Sequence, residues 1–145
     1  MTESFSRNFP LTQNPVNRPK TATEATSHNL ALTIAEAALD RKAVEIILLN
    51  VAEISSLSDY FVMMTGYSKV QVRAIADAIQ GQVDIDWQRR PIRTEGKAEG
   101  TWVLQDYGDV IVHIMMPRER EFYNLEAFWG HAERISIPSS DNIGG

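Results

Sequence analysis

Two short, nearly unbroken apolar runs constrain this chain more than any other feature. They are residues 44–51 and 60–65, and eight residues separate them. A strand with one wet face alternates apolar and polar residues. These runs barely alternate, which fits strands covered on both faces at the centre of a layered fold. Neither run approaches the roughly 18–20 apolar residues needed to cross a bilayer.

The flanking segments supply the covering layers. Residues 30–41 read as a helix, because Ala31, Ile34, Ala35, Ala38 and Leu39 follow the 3.6-residue period. A second helix starts after residue 68. Ser68 and Gln71 have the spacing of a capping box, and Tyr67 and Val72 that of a hydrophobic staple. Val72, Ile75, Ala76, Ile79 and Val83 form its apolar stripe, and Arg73 and Asp77 are placed to pair on its exposed side. Residues 52–59 form a loop that Ile54 and Leu57 are expected to pin to the core.

Past Trp87 the pattern turns to strands. Residues 91–95 suit an edge, because Pro91 has no N–H for a ladder. Residues 101–106 and 110–115 flank Tyr107, Gly108 and Asp109 as a hairpin. Residues 120–129 read as a final helix, with Phe122, Leu125, Phe128 and Trp129 near one face, and residues 134–137 as a short last strand. The predicted fold class is α/β, a mixed-sheet α/β sandwich.

Charge narrows the partners. The chain of 145 residues carries a formal charge of −5. Residues 28–137 alone hold eleven Lys/Arg and sixteen Asp/Glu. An acidic domain is poorly suited to grip phosphates, so no direct sequence-specific nucleic-acid partner is expected; were the partner a protein–nucleic-acid assembly, the contact should fall on a basic protein and not on bare nucleic acid. Residues 1–27 and 138–145 hold few large apolar groups and are expected to be disordered tails around a domain spanning 28–137. Bacterial cytoplasm is the expected location. An organelle is the alternative, if the acid-poor first 27 residues act as a transit peptide.

The chain offers little for catalysis. With no cysteine in the sequence, disulfides, thiolate chemistry and Cys-ligated zinc are excluded. His28, His113 and His131 share no metal-ligand spacing. Gly66, Tyr67, Ser68 and Lys69 join a strand to a helix start, a geometry that can bind anions, but a turn glycine and a capping serine explain them more simply. A nucleotidyltransferase would need two carboxylates, one residue apart, on a following strand to hold magnesium. Asp84 and Asp86 have that spacing but fall at a helix end. Asp59, Asp106 and Asp109 suit turns.

Surface recognition remains. Trp102 begins a strand after the glycine-flanked segment Glu95, Gly96, Lys97, Ala98, Glu99 and Gly100, read as flexible. Alternation puts Trp102, Leu104 and Asp106 on one face of that strand and Val103, Gln105 and Tyr107 on the other. The pattern leaves two orientations open: Trp102 outward as a binding anchor, or inward as core.

Three groups of residues resemble one known family. Ser56, Leu57, Asp59, Tyr60, Phe61 and Val62, followed by Gly66 and Ser68, are similar to its "S-L-x-D-Y-F-V-I-x-x-G-x-S" signature. Glu95, Gly96, Trp102, Leu104, Asp106, Tyr107, Gly108, Asp109, Val110, Val112 and His113 are similar to its "E-G…W-x-L-x-D-Y-G-D-V-x-V-H". Arg120, Tyr123, Leu125, Glu126 and Trp129 are similar to "R-x-x-Y-x-L-E-x-x-W". Met64 and Tyr67 depart from the usual pattern. Together, in this order, the motifs resemble the ribosomal silencing factor (Iojap-like) family over about residues 30–137.

The resemblance implies a nucleotidyltransferase-like fold without catalysis, and neither cofactor nor metal. It implies docking on the large ribosomal subunit through ribosomal protein L-fourteen. The docked factor would sterically block the small subunit and repress translation when nutrients are scarce. It also implies a homodimer. On this reading Trp102 anchors the ribosomal-protein contact, with Glu95, Gly96, Asp106, Tyr107 and Asp109 around it as a polar, acidic rim. The competing readings are a metal-dependent nucleotidyltransferase-type enzyme and a general protein-interaction or small-ligand domain.

Overall fold

The two apolar runs become neighbouring strands in the middle of a sheet. The computed structural model describes residues 22–138, with side chains from residue 25 onward. In chain order the elements are α1 (Ala22–Leu39), β1 (Val44–Asn50), β2 (Tyr60–Thr65), α2 (Lys69–Trp87), β3 (Arg93–Glu95), β4 (Trp102–Asp106), β5 (Val110–Met115), α3 (Pro117–Tyr123), α4 (Leu125–Phe128) and β6 (Glu133–Ile137). The strands lie in the order β3-β4-β5-β2-β1-β6. The β2–β5 pair is parallel and the other four are antiparallel, so the sheet is mixed as expected.

All six residues of β2 are buried, which is what an unbroken apolar run requires. One face of the sheet carries α1 and α2. Their stripes, including Ile34, Ala38, Ile75 and Ile79, meet Leu48, Val62, Val103 and Ile114 in the main core. The other face carries a smaller cluster of Ile47, Leu49, Phe61, Met63 and Met115, against which Leu125 and Trp129 pack. The molecule is thus thick on one side of the sheet and thin on the other.

The start of α2 follows the sequence signal in part. Ser68 Oγ accepts the N–H of Gln71 at 3.0 Å, a cap that stabilises a helix by about 1 kcal/mol. Gln71 Oε1 reaches back to the N–H of Tyr67 at 2.7 Å, one residue beyond the expected partner, Ser68. Its amide also donates to the carbonyls of Arg41 and Lys42, tying α2 to the α1–β1 turn. The staple does not form, because Tyr67 is 64% exposed while Val72 is buried. Nor do Arg73 and Asp77 pair: each turns instead to the segment after β3.

Three other expectations need correction. The first helix begins at Ala22, not at residue 30, so residues 22–27 are not tail. Ser27 is fully buried there, with its hydroxyl 2.7 Å from Asp59 Oδ2. The expected tails at 1–21 and 139–145 lie outside the described residues. Ile54 and Leu57 do not pin the β1–β2 loop; both are exposed. Polar bonds close it, as Ser58 Oγ donates to the Asp109 carbonyl and the N–H of Val51 to that of Asp59, both at 2.8 Å. Finally, the expected last helix is two short ones, broken at Asn124, whose φ of 45° is left-handed. The break lets buried Arg120 fork onto Glu126 at 3.1 Å while reaching Thr65 Oγ1 at 2.9 Å.

Candidate protein-binding face

The strand β4 decides what the thin side presents. Val103 and Gln105, with Tyr107 just beyond, are buried toward α1 and α2. Alternation therefore turns Trp102, Leu104 and Asp106 to the opposite face. Register then assembles that face. Trp102 lies beside Met115, Leu104 beside His113 and Asp106 beside Ile111. On the outer flank Glu95 lies beside Leu104 and Arg93 beside Asp106. The result is a half-buried apolar strip of Trp102, Leu104 and Ile111 with a charged edge.

The open question about Trp102 is settled in favour of the face away from the long helices, but the ring is not free. Its Nε1 donates to His113 Nδ1 at 3.2 Å, and its ring lies 4.8 Å from that of Tyr123. His113 is buried, and burial pushes its imidazole down from 6.5 to about 4. It is therefore neutral at pH 7. Because Nδ1 accepts from Trp102, the proton belongs on Nε2. Phe61 packs edge-on to His113, with centroids 5.7 Å apart. His113 is thus the floor beneath Trp102. Phe122 and Phe128, each 77% exposed, together with Tyr123 extend the aromatic surface from α3 and α4.

Glycines shape the segment leading into Trp102. Gly96 has φ +84°, and a Cβ there would fall 2.0 Å from the Trp102 carbonyl oxygen. Only glycine fits so close an approach. The turn closes through the N–H of Gly100 onto the Gly96 carbonyl at 2.9 Å. It is also tied to α2. Arg73 donates to the carbonyls of Lys97 and Ala98 at 2.9 and 2.6 Å, and Lys97 pairs with Asp77. The segment read as flexible is thus clamped.

Of the residues expected at the site, Trp102, Glu95 and Asp106 come together on one face, and Gly96 sets the turn beside them. Tyr107 and Asp109 do not join them. Tyr107 is buried on the helix side, where burial pushes its phenol up to about 12, although Arg89 opposes this. Asp109 belongs to an internal clamp. Its Oδ1 meets Arg89 Nη2 at 2.6 Å and its Oδ2 lies 3.0 Å from Ser27 Oγ. Burial pushes the Asp109 carboxyl up, but the bond and charge of Arg89, with help from Ser27, outweigh it and hold it below the usual range. The same Arg89 nitrogen also donates to the Tyr107 carbonyl at 2.7 Å.

Sequence reasoning did not assign Arg93, Ile111 or Tyr123 to this face. Tyr123 belongs to the third family-like motif, and pairing the two strands of the hairpin puts Ile111 beside Asp106. Arg93 gave no separate signal. The carboxylates weighed for metal binding, Asp84 and Asp86, are exposed at the end of α2, facing Arg90 and Gln82.

Comparison with known proteins gives a consistent picture. The family model described as "Ribosomal silencing factor during starvation" matches residues 24–143. The ribosomal silencing factor RsfS of Bacillus subtilis is 44% identical over 102 residues, covering 70% of this chain and 86% of that protein. The chloroplastic protein Iojap of Zea mays is 35% identical over 111 residues, and the match spans 76% of this chain but only 47% of the maize protein. A mouse protein named for mitochondrial assembly of the ribosomal large subunit is 31% identical over 74 residues, 50% of this chain and 32% of its own length. A crystal structure from Chromobacterium violaceum superposes with a TM-score of 0.69 at 32% identity, covering 80% of this chain and 97% of that one. With the family model spanning most of the chain and relatives this similar across it, the chain belongs to the ribosomal silencing factor (RsfS/Iojap) family.

Proposed function

We propose that this chain docks on the large ribosomal subunit through the Trp102 face, binds the basic ribosomal protein L-fourteen there, and so keeps the small subunit from joining. The reading is non-enzymatic: the factor represses translation by occupying a surface. The observation that carries it is an accessible tryptophan on a preformed floor, beside Leu104 and Ile111 and edged by Glu95 and Asp106. An aromatic anchor on an apolar patch with a polar rim is the usual composition of a protein-binding hot spot. An acidic edge favours a basic partner and speeds encounter with it. The names of relatives support the ribosomal setting, and the mouse relative's name points to the large subunit. The same reading places the protein in the bacterial cytoplasm, as a homodimer when free.

Co-sedimentation of the full chain with purified large subunits, with and without small subunits, tests the proposal. Binding that lowers the yield of joined ribosomes is expected. Absence of binding at both low and moderate salt would overturn it. Sedimentation velocity of the free protein reports the homodimer in the same preparations.

A further inference from the structure

The charged edge of the Trp102 face contains its own cation. Arg93 and Glu95 sit two apart on β3 and so share a face, and register puts Arg93 opposite Asp106. Arg93 Nε lies 3.5 Å from Glu95 Oε2 and 3.4 Å from Asp106 Oδ2. Its one guanidinium therefore sits between both carboxylates that edge the apolar strip.

The hold is loose. Charge-assisted N–H···O bonds run at about 2.7–2.9 Å, and the Arg89–Asp109 contact at 2.6 Å shows how tight such a pair is elsewhere in this molecule. Arg93 is 61% exposed, and so is easily displaced. Asp106, by contrast, is fixed. Its side chain is only 17% exposed, and its Oδ1 accepts the N–H of Gly108 at 2.8 Å, leaving Oδ2 turned to Arg93. A fixed acceptor is thus covered by an exposed, loosely held cation.

We infer that Arg93 is a built-in competitor, which masks Glu95 and Asp106 in the free protein and is displaced on docking by a lysine or arginine of the partner. The inference rests on the docking reading above. A partner cation arriving beside Trp102 and Leu104 would meet the same two carboxylates in a drier setting, where attraction is stronger. Arg93 thereby sets specificity. A partner without a well-placed cation leaves the mask on and gains only the apolar strip.

The test uses the full chain and purified large ribosomal subunits, with association and dissociation rates followed at low and raised salt. Arg93→Gln, with Arg93→Ser as a second removal of the charge, is expected to speed association by about threefold or more at low salt. The gain should shrink as salt screens the exposed carboxylates. Arg93→Lys should behave as the parent. Arg90→Gln, which removes an equal charge three residues upstream, beside Asp84 and not beside the strip's carboxylates, controls for net charge and should give a smaller gain. Weaker or unchanged binding by both charge-removing variants would overturn the inference, as would an equal gain from Arg90→Gln. If the parent chain fails to bind at all, the docking reading itself falls. If the parent binds and Arg93→Gln binds less, the reading stands and Arg93 is a direct contact.

Discussion

Asp106 and Asp109 stand three residues apart on one hairpin, and the molecule uses them in opposite ways. Asp109 turns to the thick side, where Arg89 and Ser27 hold it and its carbonyl anchors the start of β2. Asp106 turns to the thin side, where one oxygen caps its own turn and the other waits under a loosely placed Arg93. One motif thus serves both faces, and the direction of each side chain decides whether its acid is mortar or contact. The same division separates Tyr107, buried among the helices, from Trp102, laid on the open face. If it is right, perturbing the two sides should move different observables.

The largest expected effect separates the sides by pH. His113, beneath Trp102, has its folded value lowered to about 4 from 6.5. Between those values the unfolded chain takes up a proton that the folded chain refuses, so stability falls as pH drops from 6.5 to 4. The loss is about 3 kcal/mol at most. Asp109 on the other side has a depressed value, so its contribution is present above the ordinary carboxylate range and disappears only as pH falls below about 4. Urea denaturation across pH should therefore show two successive losses. His113→Gln should remove the first and leave the second. An unchanged slope between pH 6.5 and 4 in that variant would mean that another group drives it.

Next in size is the internal clamp. Asp109→Ala removes the acceptor of a charged bond and leaves Arg89 partly buried with only the Tyr107 carbonyl, a loss of about 2 kcal/mol in stability. The folded fraction should still bind large subunits as the parent does. A binding defect exceeding the folding defect would place Asp109 in the interface after all. Trp102→Ala is the mirror image. It should cost on the order of 2 kcal/mol in binding, as for an interface anchor, with the variant still folding cooperatively. Failure to fold would make Trp102 core and remove the site.

How much of this was legible beforehand follows from where the information lies. Central strands announce themselves because burial on both faces leaves no room for polar residues, and Ser68 with Gln71 marks a helix start through bonds local to the chain. The alternation of β4 was equally plain, but alternation has no sign. Only packing of Val103 and Gln105 against the helices tells which face is inside. Grouping Tyr107 with Trp102 by motif ignored that residues an odd number apart along an extended strand point to opposite faces. Asp109 was also beyond reach because its partners, Ser27 and Arg89, are 82 and 20 residues away. Ser27 further lies where the composition suggested tail. The early start of α1 is a tertiary effect, since a serine between two aspartates becomes core only once β2 and β5 lie side by side.

The smallest effect probes the comparison most sharply. Asp106→Asn keeps an oxygen for the N–H of Gly108 and deletes only the charge facing Arg93. Stability should move by less than about 0.5 kcal/mol, as for a long ion pair whose cation is mostly exposed. Binding should weaken by about 1 kcal/mol, mainly through slower association with a flatter salt dependence. Asp109→Asn should do the reverse, lowering stability and leaving association rates alone, because its charge is already spent on Arg89 inside the fold. The paired measurement needs no assumption about the partner's structure. Two isosteric changes, three residues apart, either split cleanly between folding and association or they do not. If both slow association alike, the thin side is not a separate binding face, and the division drawn between the two aspartates fails with it.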